Sequence, residues 1–216
     1  MTPSPLAHFD ALPILERLFV RGRLWSAPLE QLAARAPAGA IADVGCGHGL
    51  LTALLASGRA DRLVTGIDPD PRKIAWARRA LAALPNVRLE QERIEDLAAR
   101  APAAFDAVVV ADVLYLLPLP AWPAFLTAAR ALLRPGGRLL LKEAVADGSW
   151  KHWKAMAQEK VMVTLLRRTR SSGGMSFQPR QHTEQLIAQS GFSHQGTIDL
   201  SSGYATPHAL FVAIAS

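Results

Sequence analysis

The sequence predicts an α/β fold built on a nucleotide-binding βαβ unit, and three observations carry that prediction. The first is Ala40–Gly49, AIADVGCGHG, where apolar Ile41, Ala42 and Val44 run into glycines at 45, 47 and 49. Glycines at a strand exit allow a sharp turn and let a ligand approach the backbone without meeting a Cβ. Leu50 to Ala56 then reads as helical, so the turn sits at a helix N-terminus, as in the opening of a nucleotide-binding unit. The second is Leu63–Asp68, LVTGID, another apolar strand ending in a carboxylate. It follows the loop by about 20 residues, the spacing at which an acid reaches ribose hydroxyls. The third is Phe105–Ala111, a nearly continuous apolar run of the kind a central parallel strand requires.

Taken in order, residues 1–8 are proline-containing and weakly patterned. Phe9–Val20 places Leu12, Leu15, Leu18 and Phe19 at the spacing of one helix face. A short second helix is expected over Ala27–Arg35, with Pro28 in its first turn, until Pro37 and Gly39 break it. Asp43 interrupts the first strand, and a buried strand tolerates a carboxylate only where something pairs with it or water reaches it. Pro69-Asp70-Pro71 forms a turn that caps a helix over Arg72–Leu84, with Ile74, Ala77, Leu81 and Leu84 as its stripe. Asn86–Glu92 alternates as a third strand, and Phe105–Ala111 is the fourth, ending in Asp112. A helix over Pro123–Leu133 is closed by Arg134-Pro135-Gly136-Gly137, the turn feeding a fifth strand, Arg138–Ala144. Lys142 and Glu143 emerge at its carboxyl end, as a salt bridge to neighbouring helices or as part of a substrate pocket. Trp150–Arg170 combines tryptophans, methionines and leucines with many basic residues. Such an amphipathic stretch suits a lid on a greasy substrate, peripheral contact with an anionic membrane surface, or a core helix with solvated lysines. Ser171–Gly174 reads as a flexible joint. A helix over Thr183–Ser190, ended by Gly191, leads to two last strands, Phe192–Leu200 and His208–Ile214.

The 216 residues fit one domain, and half of them are hydrophobic, enough for a sizeable core. It divides into an N-terminal helical cap (1–38), a core (39–144), a lid segment (145–182) and a C-terminal helix with two strands (183–216). The single cysteine, Cys46, excludes an intramolecular disulfide. No secretory leader pattern opens the chain and no apolar run reaches membrane-span length, so a cytoplasmic protein is the expectation. The net charge of +6 admits nucleic acid or an anionic surface as partner. Its basic residues are scattered rather than clustered in a recognisable module, which disfavours nucleic acid.

With these residues in view, the chain resembles the class I S-adenosylmethionine-dependent methyltransferases. The matching stretches are DVGCGHG at 43–49, GIDPD at 66–70, FDAVVVADVLYLLP at 105–118 and LLRPGGRLLLKE at 132–143. It looks most similar to the small-molecule branch that includes quinone-biosynthesis methyltransferases. The resemblance implies a Rossmann-like, seven-stranded, mostly parallel sheet with an antiparallel C-terminal hairpin and helices on both faces. It implies S-adenosyl-L-methionine as cofactor, leaving as S-adenosyl-L-homocysteine. Asp43 and the loop Gly45, Cys46, Gly47, His48, Gly49 would hold the methionine end, and Asp68 with Pro69 the ribose. Many members place an acid after the third strand for the adenine amine; here Arg93 and Ile94 stand there, with Glu95 and Asp96 beyond. The adenine contact falls to Arg93 and Ile94 through their backbone, or to Asp96 from a shifted register. Methyltransferases acting on amines of DNA bases carry Asn or Asp followed by Pro-Pro-Tyr after the fourth strand. Ala111-Asp112-Val113-Leu114 lacks those prolines.

Methyl transfer from a sulfonium is an in-line displacement in which the protein mainly supplies alignment. A phenol, hydroxyl or enol nucleophile also needs a base. Candidates near the strand ends are Asp112, which would also border the cofactor, Tyr115 and Glu143. His152 on the lid, His182 and His208 are histidine candidates. No zinc-type Cys/His spacing appears, so catalysis without a metal is expected. The acceptor is expected to be small and hydrophobic or lipid-like. Rival readings are an RNA or protein methyltransferase and a non-catalytic nucleoside-binding relative; the GxGxG spacing disfavours a nicotinamide dehydrogenase.

Overall fold

The computed structural model describes residues 5–145 and 176–215. A 3₁₀ turn at Pro5–Phe9 precedes helices α1 (Ile14–Ser26) and α2 (Leu29–Arg35) and strand β1 (Gly39–Val44). Then come α3 (Leu50–Gly58), β2 (Arg62–Ile67), α4 (Pro71–Ala80), β3 (Val87–Glu90) and α5 (Ile94–Arg100). β4 (Phe105–Ala111), α6 (Trp122–Leu132) and β5 (Leu133–Ala144) follow, and then α7 (Arg180–Gln189), β6 (Phe192–Asp199) and β7 (His208–Ala215).

The strands form one seven-stranded sheet in the order β3-β2-β1-β4-β5-β7-β6. β1 to β5 run parallel, and β7 enters antiparallel between β5 and β6. This is the Rossmann-like sheet with a C-terminal hairpin that the motifs imply. Helices cover both faces, and a hydrophobic core lies on each. Ile41, Val64, Val109 and Leu140 pack on one side; Ala42, Val108, Val110, Leu139 and Leu141 pack on the other. That alternation explains why β4 carries apolar residues at consecutive positions: each face of a central parallel strand is buried.

The order reverses between β1 and β4, which pair with Val44 beside Val110. A crevice opens outside the carboxyl ends of strands at such a switch point. Every strand-end acid named from the sequence (Asp43, Asp68, Asp112 and Glu143) lies at that end of the sheet.

The structure corrects three boundaries. The single helix expected over Phe9–Val20 does not form, because Pro13 lacks an N–H and restricts the residue before it; α1 begins after Pro13. The expected stripe divides accordingly: Leu12 is buried, whereas Leu15 and Leu18 are 58% and 57% exposed. Arg134–Gly137, expected as a turn, falls inside β5, where the pairing with β4 shifts register between Phe105 and Ala107. α4 is shorter than expected, closing at Ala80 rather than Leu84. The lid reading of Trp150–Arg170, the joint at Ser171–Gly174 and His152 lie outside the described residues. Among the described residues, no helix is long and apolar enough to cross a membrane.

Candidate active site

Asp43 ends β1 fully buried, and its partner is Thr52 in the first turn of α3, whose Oγ1 donates to Asp43 Oδ2 at 2.6 Å. Burial, reinforced by the charge of Asp68, pushes the Asp43 carboxyl up to about 7 against the pull of that bond. After Val44 the chain turns on Gly45 (φ +76°), and a Cβ there would lie 2.5 Å from Val113 Cγ2. Glycine is required on both counts, since the left-handed backbone and the close approach of the β4 exit each exclude a side chain. Gly45 N–H and Cys46 N–H both donate to the Ile67 carbonyl, tying the loop to the end of β2. Gly49 (φ +83°) is the N-cap of α3. Cys46 is buried, and burial pushes its thiol up, which makes it a space-filling residue rather than a nucleophile.

Asp68 follows β2 directly. One carboxylate oxygen accepts from Gly47 N–H (3.1 Å) and the other from Asp70 N–H (2.9 Å). The predicted ribose acid thus organises the glycine loop and the Pro69 turn as one unit. Asp70 caps α4 by accepting from Arg72 N–H. His48, in the loop, faces α1: its Nε2 is 2.8 Å from Glu16 Oε2 and its ring is 5.2 Å from that of Phe19. Arg93 is the N-cap of α5, Ile94 is buried behind it, and Asp96 accepts from Arg93 N–H at 3.4 Å. Asp96 therefore serves its own helix start.

The second half of the site is built around Asp112, which follows β4 in the left-handed region (φ +58°). A non-glycine residue held there stores strain that its surroundings must offset. Asp112 N–H donates to the Lys142 carbonyl, continuing the β4–β5 ladder. Lys142 Nζ, fully buried, lies 2.6 and 2.7 Å from the two carboxylate oxygens, and Arg23 Nη2 of α1 lies 2.9 Å from one of them. Burial works to raise the Asp112 carboxyl, but the charges of Lys142 and Arg23 outweigh it and hold the group well below the usual carboxylate range. Glu143 secures the next two residues: its Oε1 accepts from Val113 N–H (3.0 Å) and Leu114 N–H (2.9 Å). Burial and the charge of Asp112 push Glu143 up to about 8, and its Oε2 is buried without a hydrogen-bond partner. Tyr115 is buried and stacks on Phe177 at 5.1 Å, and its carbonyl accepts from Ser176 N–H.

His208 begins β7 opposite Ala144. Its Nε2 is 3.3 Å from the Ser26 carbonyl, which can only accept, so Nε2 carries the proton and buried Nδ1 is left without a partner. Burial and the charge of Lys142 push this imidazole down to about 4, so it is neutral at physiological pH. His182 stands apart in the first turn of α7.

The structure thus ties the glycine loop to Asp68 by hydrogen bonds, with Asp43 anchored to Thr52 at the end of the neighbouring strand. It places Asp112 and Glu143 together at the β4 exit, while His208 is held apart by Ser26 and Ser201. Lys142 and Glu143 prove to be braces of the β4 exit rather than partners of neighbouring helices. Sequence reasoning missed Thr52, Glu16 and Arg23. Thr52 was findable, because Asp43 needed a partner and a hydroxyl sits in the next helix. Glu16 and Arg23 carried no local signal. Among the described residues no three His, Cys, Asp or Glu are grouped to hold a metal. A hollow of about 300 Å³, lined by Pro37, Asp106 and Arg134–Arg138, lies at the amino ends of the strands and contains none of these groups.

The residues present fit an adenosyl cofactor: a glycine turn open to close backbone approach, with two strand-end carboxylates, Asp43 and Asp68, beside it. Comparison with known proteins agrees. A methyltransferase domain model matches residues 41–137. The ubiquinone biosynthesis O-methyltransferase of Xanthomonas campestris pv. campestris (strain B100) is 40% identical over 116 residues, 52% of this chain and 47% of that protein. The chain thus matches about half the length of its curated relatives. The fold is similar to that of the S-adenosylmethionine-dependent methyltransferase SibL, with a TM-score of 0.70 at 24% identity, covering 97% of this chain and 61% of that one. It is also similar to geranyl diphosphate methyltransferase solved in complex with S-adenosylmethionine, with a TM-score of 0.70 at 15% identity, covering 97% and 94%. With its glycine loop, strand-end acids and 3-2-1-4-5-7-6 sheet in place, the chain carries a methyltransferase domain over residues 41–137 and has the fold of S-adenosylmethionine-dependent methyltransferases.

Proposed function

We propose that this protein transfers a methyl group from S-adenosylmethionine to the hydroxyl of a small, hydrophobic or lipid-like acceptor. The observation that carries the reading is the glycine loop Gly45–Gly49 bonded to Asp68 beside the buried strand-end Asp43, at the β1/β4 switch point. The hydroxyl is suggested by the O-methyltransferase relatives. The lipid-like character rests on the composition of the Trp150–Arg170 stretch.

Asp43 and the loop Gly45, Cys46, Gly47, His48 and Gly49 would hold the amino-acid end of the cofactor, Asp68 and Pro69 its ribose, and Arg93 and Ile94 would border the adenine. When bound, the cofactor supplies a methyl group activated by its sulfonium charge. Asp112, kept ionised by Lys142 and Arg23, aligns the reacting groups by its charge. Glu143 holds the β4 exit through Val113 and Leu114, and as the candidate base its Oε2, buried without a hydrogen-bond partner, would take up the acceptor's proton from the ionised form. Tyr115 walls the acceptor side, and His152 remains a candidate on sequence grounds.

The test is calorimetric titration with S-adenosylmethionine, S-adenosylhomocysteine and NAD, repeated on Asp68→Ala. Binding of both adenosyl ligands but not NAD, weakened at least ten-fold by Asp68→Ala, is the expected result, followed by turnover in a screen of phenols, quinols and lipids. Binding of NAD alone would overturn it.

A further inference from the structure

Helix α1 has two faces with different tasks. Its inward face carries Glu16, Val20 and Arg23; Val20 is buried, Glu16 meets His48, and Arg23 meets Asp112. These contacts fix how the helix is rotated. Its other face presents Leu15, Leu18, Gly22 and Trp25, spaced i, i+3, i+7 and i+10, with Ile14 alongside. Ile14 is 62% exposed, Leu15 58%, Leu18 57% and Trp25 88%, and a Cβ at Gly22 would meet nothing within 4 Å. Four of the six large apolar side chains exposed among the described residues are therefore on one short helix. Arg17 and Arg21 edge the stripe, and the helix's one acid, Glu16, is turned inward. Asp10 takes part of that charge, through a 3.6 Å ion pair with Arg21 and a carbonyl bonded by Arg17.

We propose that this face of α1 docks the protein on an anionic lipid surface. Contiguous exposed apolar area of this kind marks an interaction site. A second copy is the weaker candidate. A helix of 13 residues is about 20 Å long at 1.5 Å per residue. A single stripe of that length falls well short of the roughly 800 Å² per partner that a stable interface needs. Two copies would also bring Arg17 and Arg21 together, whereas negative headgroups complement them. An apolar stripe with a basic edge and a terminal tryptophan is the pattern of a helix lying in a membrane interface. Because the opposite face of α1 touches His48 and Asp112, docking would hold the crevice within one helix diameter of the lipid, roughly 10 Å. This deepens the lipid-like reading of the acceptor, but it stands on the helix alone and its test requires no acceptor.

The experiment is flotation of the full chain with vesicles of pure phosphatidylcholine or of phosphatidylcholine with phosphatidylglycerol. Binding to the anionic vesicles only, falling as salt rises, is expected. Leu15→Ser/Leu18→Ser/Trp25→Ser should lower the partition at least ten-fold with an unchanged thermal unfolding midpoint. Arg17→Gln and Arg21→Gln should each weaken it about five-fold. Absence of vesicle binding, or equal binding by the triple variant, overturns the proposal. So does a concentration-dependent dimer in sedimentation that the triple variant abolishes, which would assign the face to a second copy.

Discussion

Lys142 Nζ lies within 2.7 Å of both carboxylate oxygens of Asp112, and neither side chain is more than 5% exposed. One buried cation thereby holds the residue at which the chain leaves β4 in a left-handed turn. Lys142→Met should cost about 3–5 kcal/mol, because a buried carboxylate would keep only the half-buried Arg23 as partner. Asp112→Asn/Lys142→Met should recover much of that loss. Urea denaturation of the single and double variants measures the coupling.

Glu143 makes stability fall with rising pH. Its carboxyl, normally near 4.5, sits at about 8 in the folded protein. Between those values the folded state binds more protons than the unfolded state, so raising the pH favours unfolding. His208, pushed down from 6.5 to about 4, has the opposite sign over pH 4 to 6.5 and is silent above that. Denaturation from pH 7 to 8.5 should therefore show declining stability, and Glu143→Gln should flatten the decline by about 1 kcal/mol. Glu143→Gln keeps a carbonyl for Val113 and Leu114; Glu143→Ala should lose about 1–3 kcal/mol more by leaving both N–H groups unpaired.

Asp43 should couple cofactor affinity to pH. With its carboxyl near 7, it is largely protonated at pH 6 and must lose that proton to face a cationic ligand. Affinity for S-adenosylmethionine should rise about ten-fold from pH 6 to 8. Asp43→Asn should bind more weakly and without that slope. Calorimetry in two buffers of different ionisation heat reports the released proton directly.

Gly45→Ala should cost about 1–3 kcal/mol, since the new methyl would lie 2.5 Å from Val113 Cγ2 on a backbone at φ +76°. Val113→Ala in the same chain should relieve the collision but not the backbone strain. Thermal unfolding of the single and double variants separates the two contributions.

The glycine loop, the acid after β2 and the apolar run of β4 were legible in sequence because their causes are local. Glycine spacing, a carboxylate at a strand end and burial on both faces each leave a mark within a few residues. The helices were legible in type but not in extent: Pro13, a single residue, moved the start of α1, and the inward contacts of Glu16, Val20 and Arg23 left Leu15 and Leu18 facing outward. The opposed charges of the site were not legible. Arg23 reaches Asp112 across 89 positions, and Glu16 reaches His48 across 32. Nothing near either residue distinguishes it from an ordinary exposed helix charge. Sequence by itself determined the βαβ periodicity and the chemistry at each strand end. Tertiary structure alone decided which charges neutralise one another, because packing α1 over the β1/β4 crevice buries groups that the chain order keeps far apart. Buried cations beside Asp112 and desolvation of Glu143, rather than residue type, set the two carboxyls on opposite sides of neutrality.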